Sequence, residues 1–493
     1  MKNKCCFPLV SVLAALVGCA SLPSVGPDYE MPEFKSPDYL LPDAGAPTTN
    51  MTASGEYRSA DLAADDRVVI STNVLHCWWQ RFNDPVLSSL VGSAVSNNVS
   101  YLMAIKRLEQ ANWELLGSYA AFVPHFGVGG GWSRHWSHAK TRSGASQYNL
   151  RNAALDGDWE IDIFGGNRRL SEAAFAEAEA AGWTVADAWV ALTTSIGREY
   201  IALRTTQSLI DVARTNLTLQ SETYEILKSR LDSGIGDELA VNQCAYIVEQ
   251  TRARIPQLLA QEERSKNALA VLAGEIPGAL HGELESLTID RDWLLQPQKV
   301  AALGLDMIRS RPDVKAAERK LAAETARIGA AKAQWLPKFY ITGSVGFENK
   351  KKSPLFARDS FLASFGPAVS WPIFQGGAIY ANVKATEARM HAAALAYELA
   401  IENAYGEVRN AYSAYTQEYH RYQALKSAVK AASDAVTISN DLYKNGLKDF
   451  NNVLDAQRSR LQLEEELAVS RGQITDHLIG LYKALGGGLA VER

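Results

Sequence analysis

Two histidines in His135-Trp136-Ser137-His138 could share a metal ion, and carboxylates recur at every second position as Asp156, Asp158, Glu160 and Asp162. The histidines stand three apart in an alternating stretch, which puts them on opposite faces of a strand and defeats a shared ligand. Gly127 with Gly129, Gly130 and Gly131 has the composition of a phosphate loop. It lacks the Gly-Lys-Ser/Thr ending and the strand-to-helix context that such a loop needs. No Ser/His/Asp constellation stands out. The cysteines Cys5, Cys6, Cys19, Cys77 and Cys244 contain no Cys-x-x-Cys, so a zinc ribbon or a thioredoxin-type site is excluded. The chemistry on offer is therefore not catalytic, and it calls for no metal and no cofactor. Carboxylates lined up on one face can instead attract cations along a water-filled passage.

The elements that hold these residues belong to a chain of 493 residues, 47% of them hydrophobic, which is enough for a large core. Lys and Arg total 50 against 55 Asp and Glu, and no basic block occurs, so nucleic acid is not the partner. At the N-terminus, Lys2 and Lys4 precede an apolar stretch, Phe7 to Val17, too short to cross a bilayer. Leu16-Val17-Gly18-Cys19-Ala20 is similar to a bacterial lipobox. This makes residues 1–18 a signal peptide and Cys19 a lipidated first residue; Ala20, which is not Asp, favours sorting to the outer membrane. Residues 19–60 read as a lipid-anchored, extended linker rich in Pro, Ser, Asp, Thr and Ala. Cleavage leaves Cys77 and Cys244, expected as unpaired small residues.

The rest of the chain repeats itself. Ala120-Ala121-Phe122-Val123-Pro124-His125-Phe126 matches Ala333-Gln334-Trp335-Leu336-Pro337-Lys338-Phe339 at an offset of 213. Trp159 to Gly166 answers Trp371 to Gly377 at about 210 to 212, and Leu231 to Asp237 answers Tyr443 to Asp449 at 212. Each copy reads as a helix, two strands, a very long helix, a tight turn and a returning helix. The first copy is placed at 61–273, with strands at about 122–137 and 149–164 and a hairpin of helices at 169–273. A connection at 274–315 leads to the second at 316–485, with strands at about 338–348 and 361–374 and a hairpin at 377–485; 486–493 is a tail. Residues 169–232 carry no proline, and at 1.5 Å per residue the helix is roughly 90–100 Å long. At each tip a glycine (Gly234, Gly446) suits a positive φ, and an aspartate three residues on (Asp237, Asp449) can cap the next helix.

The strands alternate cleanly. Phe126, Val128, Trp132 and Trp136 share a face; so do Leu155, Trp159 and Ile161, then Phe339, Ile341, Val345 and Phe347, then Phe361, Phe365 and Val369. The opposite faces are small or polar, including Asp156, Asp158, Glu160 and Asp162. Segments of about ten residues, tryptophans toward the strand ends and a small polar reverse face favour lipid on one side and water on the other. Four strands cannot close a barrel, and open edges are not tolerated in lipid. Several chains must therefore contribute strands.

Val25-Gly26-Pro27-Asp28-Tyr29, Trp78-Trp79, Phe82-Asn83-Asp84-Pro85, Ser310-Arg311-Pro312-Asp313-Val314, Val453-Leu454-Asp455-Ala456-Gln457 and Leu481-Tyr482-Lys483-Ala484-Leu485-Gly486 resemble the TolC/OprM-type outer-membrane efflux lipoproteins, over nearly the whole mature chain. The resemblance implies a mainly α protein with a transmembrane β-barrel part. A homotrimer would form a twelve-stranded barrel, four strands per protomer, continuing into a long periplasmic helical barrel with a mixed equatorial region. It implies a passive exit duct for small molecules, including drugs and toxic compounds, partnered by a periplasmic adaptor and an inner-membrane RND-type pump. It also implies closure by carboxylates near the start of the last long helix. Asp455 keeps that place, while Asn451 and Asn452 stand where relatives can carry Leu or a second Asp. The tips Gly234, Asp237, Gly446 and Asp449 are the expected adaptor-docking sites. Asp156, Asp158, Glu160 and Asp162 predict a cation-preferring lumen unless Arg134 or Arg151 neutralises them. Two other readings compete: a duct for type I protein secretion, and a non-conducting coiled-coil lipoprotein that scaffolds the envelope. The alternating strands speak against the scaffold.

Overall fold

The computed structural model describes residues 24–32, 67–68, 77–137, 146–285, 299–300, 305–349, 354–445 and 447–488. Cys19 and Gly446, both singled out above, lie outside the described residues, as does His138. Two compact units divide the chain. One joins the N-terminal segment to Arg107–Gly182 and Ala316–Glu398; the other holds the described parts of Phe34–Lys106, Trp183–Lys315 and Leu399–Arg493.

In chain order the main elements are α1 (Pro85–Asn97), α2 (Val99–Tyr119), β1 (His125–Ser137), β2 (Ser146–Ile161), α3 (Gly166–Asp232) and α4 (Glu238–Ala273), then α5 (Pro312–Ala333), β3 (Lys338–Asn349), β4 (Phe361–Ser370), α6 (Ala378–Lys444) and α7 (Phe450–Ala484). The duplication holds to the residue in the long helices: α3 and α6 are each 67 residues and begin and end 212 positions apart. Among the described residues no helix is long and apolar enough to cross a membrane.

The first unit is built on an antiparallel sheet in the order β1-β2-β3-β4, leaving β1 and β4 as open edges. Register unites the alternating faces. Val128 stands opposite Leu155, Leu155 opposite Val345, Trp159 opposite Ile341, and Phe339 opposite Val369. One apolar face results, carrying Phe126, Val128, Phe365 and Val369, all exposed. A face this apolar in contact with water would be a severe cost, about 25 cal/mol per Å².

Strand ends differ from expectation. β2 runs from 146 to 161 rather than 149 to 164, because the chain turns at Asp162 to enter α3. β4 stops at Ser370, before Pro372, which has no N–H to donate to a ladder. Both copies fasten the strand end in the same way. Trp159 Nε1–H donates to the Phe122 carbonyl at 3.0 Å, and Trp371 Nε1–H to the Trp335 carbonyl at 3.0 Å.

Part of the stretch read as a linker is docked in this unit. The Val25 N–H donates to the Phe164 carbonyl, and the buried Arg169 guanidinium holds Asp28 at 2.6 Å and Glu172 at 2.8 Å. Tyr29 donates to Glu318 at 3.2 Å and lies against the alanines where α3 meets α5. Burial beside the Glu318 carboxylate pushes the Tyr29 phenol well above its usual range. Gly26, at φ +106°, abuts Gly329 so closely that a side chain on Gly26 would meet the α5 backbone.

Candidate functional site

The polar face of the sheet carries the first candidate set. Asp156 stands opposite Gly127 and Ser344, and Asp158 opposite His125 and Thr342. The glycines of β1 keep this face open: a Cβ on Gly129 would meet only Asp156 Oδ2, at 3.8 Å. Glu160 is different, since Lys338 Nζ lies 3.0 and 3.1 Å from its two oxygens. Asp162 departs further. It stands past the end of β2 with a nearly buried side chain, accepts the Arg168 N–H at 2.9 Å and lies 3.6 Å from the Arg168 guanidinium. Its place on the strand face is corrected: Asp162 fixes the first turn of α3.

Arg134 and Arg151, the expected neutralisers, belong to the other side of the sheet. Arg151 is opposite Trp132, and the Arg134 guanidinium sits over the Trp136 ring at 5.4 Å. Lys338 takes the role expected of them. The polar face also carries His135, stacked on Tyr148 at 4.9 Å and within 2.9 Å of Ser133 Oγ.

The hairpin tips form the second set. Gly234 has φ +76°, and the Ile235 N–H donates to the Arg230 carbonyl; at the other tip the Leu447 N–H donates to the Leu442 carbonyl, the same closure 212 residues later. Asp237 caps α4 by accepting the Leu239 N–H at 3.0 Å. Asp449 occupies the equivalent position with no side-chain cap, and its carbonyl accepts from the Asn452 N–H and Nδ2–H instead. The expected capping role is therefore corrected for Asp449. The tips share one core, in which Leu227, Ala240, Val241, Cys244 and Ile247 meet Phe450, Val453 and Leu454. Cys244 is buried there, which pushes its thiol up to about 11, and neither it nor Cys77 is in a disulfide.

That core orients the first turns of α7. With Phe450, Val453 and Leu454 turned inward, Asn451, Asn452 and Asp455 are left exposed. Asp455 has a cation at hand in its own chain: Arg458 lies 3.7 Å away and stacks over the Tyr246 ring at 5.2 Å. Arg458 belongs to the same stretch of the resemblance as Asp455, and its i,i+3 spacing on a helix is the signal for the pair.

Comparison with known proteins gives this geometry a family. The family described as outer membrane efflux protein matches residues 90–275 and 305–487. The chain belongs to the outer membrane efflux protein family. It is 29% identical to Nodulation protein T of Rhizobium leguminosarum bv. trifolii over 461 residues, covering 94% of this chain and 92% of that one. It is also 29% identical to outer membrane protein OprJ of Pseudomonas aeruginosa, covering 90% and 92%. Among solved structures, the outer-membrane channel OprN superposes with a TM-score of 0.81 at 29% identity, over 94% of this chain and 99% of that chain. CusC, at 24% identity and a TM-score of 0.79, shares the fold. This efflux protein is an outer-membrane exit duct, built from two copies of one unit.

The motifs around Asp84 and Arg311 prove to be packing devices in the second unit of the efflux protein. Asp84 Oδ1 accepts the Val86 and Leu87 N–H groups at the start of α1, while its other oxygen takes the Tyr200 hydroxyl proton donor. Burial and that carboxylate raise the Tyr200 phenol above its usual range. Arg311 is buried, donating to the Ala484 carbonyl at 2.7 Å, to Asp313 at 2.7 Å and to Glu407 at 2.7 Å. It ties the last turn of α7 to the start of α5. Asp187, facing Arg311, Asp313, Lys483 and Glu407, is raised by its own burial.

Proposed function

We propose that this efflux protein works as a homotrimer whose sheets close a twelve-stranded barrel in the outer membrane, passing small molecules from periplasm to exterior. The observation that carries the reading is the sheet: one face apolar but for Arg134, Arg151 and their neighbours at one end, one small and polar, and both edges open. An exposed pair of edges is untenable in lipid, and closure with copies of the same chain satisfies every backbone donor and acceptor. Cys19 anchors the chain through lipid, and the tips at Gly234, Asp237, Gly446 and Asp449 receive a periplasmic adaptor that links the duct to an inner-membrane pump. Asp455 with Asn451 and Asn452 narrows the periplasmic end. Three symmetry-related copies of Asp455 repel one another and hold water on the axis, and Arg458 moderates that repulsion.

Single-channel conductance in a planar bilayer tests duct and gate together. Wild-type protein is expected to give discrete openings of low conductance, and Asp455→Ala a several-fold rise. Equal conductance in the two would remove the gate from Asp455. Silence in both, from a folded trimer, would overturn the duct and favour an envelope scaffold. The anchor has its own check: intact mass should show added acyl chains on the mature protein and none on Cys19→Ser. An identical mass, apart from the substitution, would refute lipidation.

A further inference from the structure

We propose that Arg134 and Arg151, at the far rim of the apolar face of the sheet, hold the phosphate of a lipid in the outer leaflet of the membrane. This rests on the duct reading, which sets that face against lipid, and it names a lipid site there.

The register brings the two arginines together. Trp132 pairs with Arg151 and Arg134 with Asn149, so all four share the face that carries Phe126, Val128 and Leu155. Arg134 and Arg151 are diagonal neighbours across β1 and β2, an arrangement that separates Cα atoms by about 7–8 Å. Two guanidinium groups so placed can converge on one phosphate, each giving a charge-assisted fork of hydrogen bonds. The Arg134 guanidinium lies over the Trp136 ring at 5.4 Å, and Trp132 and Trp136 are both exposed. Stacking of this kind uses the flat face of a guanidinium, whereas its donors lie along the edge.

The depth of the pair fits a headgroup. Trp159, clasped to the Phe122 carbonyl, marks the opposite end of the same face, 8 residues along β2 from Arg151. At about 3.3 Å per residue and a tilt near 40°, that is about 20 Å of membrane thickness, close to the apolar band of such barrels. The rows between are uncharged: Val128 stands with Leu155 and Val345, and Gly130 with Ala153 and Phe347. A guanidinium facing lipid is costly at mid-depth and tolerated at the interface, which is where phosphates lie.

Directly inward of the pair is a seat for an acyl chain. Gly130 and Ala153 make a shallow step between Trp132 and Val128, and a Cβ on Gly130 would meet only the Asn152 carbonyl, at 3.5 Å. Phe347 walls the step, met edge-on by Phe356 and Phe361 with centroids 5.3 and 5.9 Å away, and Phe356 is exposed. The second copy lacks the cations. At offsets of 213 and 212 Arg134 falls on Phe347 and Arg151 on Ala363, so the strands themselves do not require them.

Native mass spectrometry of the delipidated full-length oligomer, titrated with diphosphoryl lipid A, tests the site. Wild type is expected to retain the lipid, and Arg134→Gln with Arg151→Gln to bind it about tenfold more weakly. Dephosphorylated lipid A should bind the wild type as weakly as the intact lipid binds that variant, an arm that needs no substitution. Arg134→Lys with Arg151→Lys should recover part of the affinity, since the charge returns without the fork. Equal retention by wild type and the Gln variant, both oligomeric and conducting in planar bilayers, overturns the site and leaves the duct standing. Indifference of the wild type to dephosphorylation counts against it equally. Displacement of the lipid by inorganic phosphate at matched concentration would assign the arginines to a free anion and refute the lipid. A wild-type oligomer that is folded yet silent in the bilayer overturns the duct reading, and the lipid site with it.

Discussion

Trp78→Ala should destabilise the folded chain by about 3–5 kcal/mol, the range for emptying a buried aromatic site. Trp78 is fully buried in the second unit, where its ring lies within 6.0 Å of the Phe82 and Tyr482 rings and 5.9 Å of Trp79. The wall on the remaining side is Gly197 of α3, where a Cβ would collide with the indole. Gly197→Val should therefore be damaging from the opposite direction, by overpacking that a rigid helix cannot relieve. Trp78 Nε1 is buried with no hydrogen-bond partner among the described residues, so the residue contributes there by filling space and not by polar contact. Trp78→Phe sheds that orphaned donor while keeping much of the volume, and should cost far less than alanine. Thermal melts of the helical circular dichroism signal in detergent, at fixed protein concentration, read all three. A Trp78→Ala chain that melts with the wild type would refute the account.

Gly197 shows how legibility divided along the chain. As a sequence feature it is an interruption in a long alanine-, glutamate- and leucine-rich helix. Its reason is a tryptophan more than a hundred residues earlier, and nothing local points there. The duplication, by contrast, was readable because it copies whole stretches. The matching Trp159 and Trp371 clasps follow from it directly.

The sheet was legible in alternation and only partly in charge. Arg151 shares odd numbering with Leu155 and Trp159, so its placement on the apolar face was available from period two alone. Arg134, in step with Phe126 and Trp132, was equally readable. The Glu160–Lys338 pair was not, because it needs the register that sets Glu160 opposite Tyr340. Asp162 misled for a local reason: Ile161-Asp162-Ile163 continues the alternation, and the turn is marked only by Gly165 and Gly166. At the tips Asp237 and Asp449 are indistinguishable by spacing. What separates them is Asn452, whose amide occupies the Asp449 carbonyl in the turn that opens α7.

These placements sharpen the electrostatics of the passage. Since Glu160 is paired with Lys338 and Asp162 with Arg168, the fixed negative charge on the polar face of the sheet rests, among the described residues, on Asp156, Asp158 and Glu348. If that face lines the passage, Asp156→Asn with Asp158→Asn should move the reversal potential under a salt gradient toward that of an unselective pore, and adding Glu348→Gln should move it further. Glu160→Gln should also weaken cation preference, because it leaves Lys338 unopposed, whereas Lys338→Met should strengthen it. At separations of about 10 Å in water one pair of charges interacts by about 0.4 kcal/mol, so such carboxylates bias ion entry without binding ions tightly. The shift should accordingly grow at about 0.01 M salt, where the screening length is about 30 Å, and fade near 0.1 M, where it is about 10 Å. A reversal potential unmoved by Asp156→Asn/Asp158→Asn at low salt would show that the carboxylates of β2 do not set selectivity. A Lys338→Met channel that became less cation-selective would show that the sign assigned to this face is wrong.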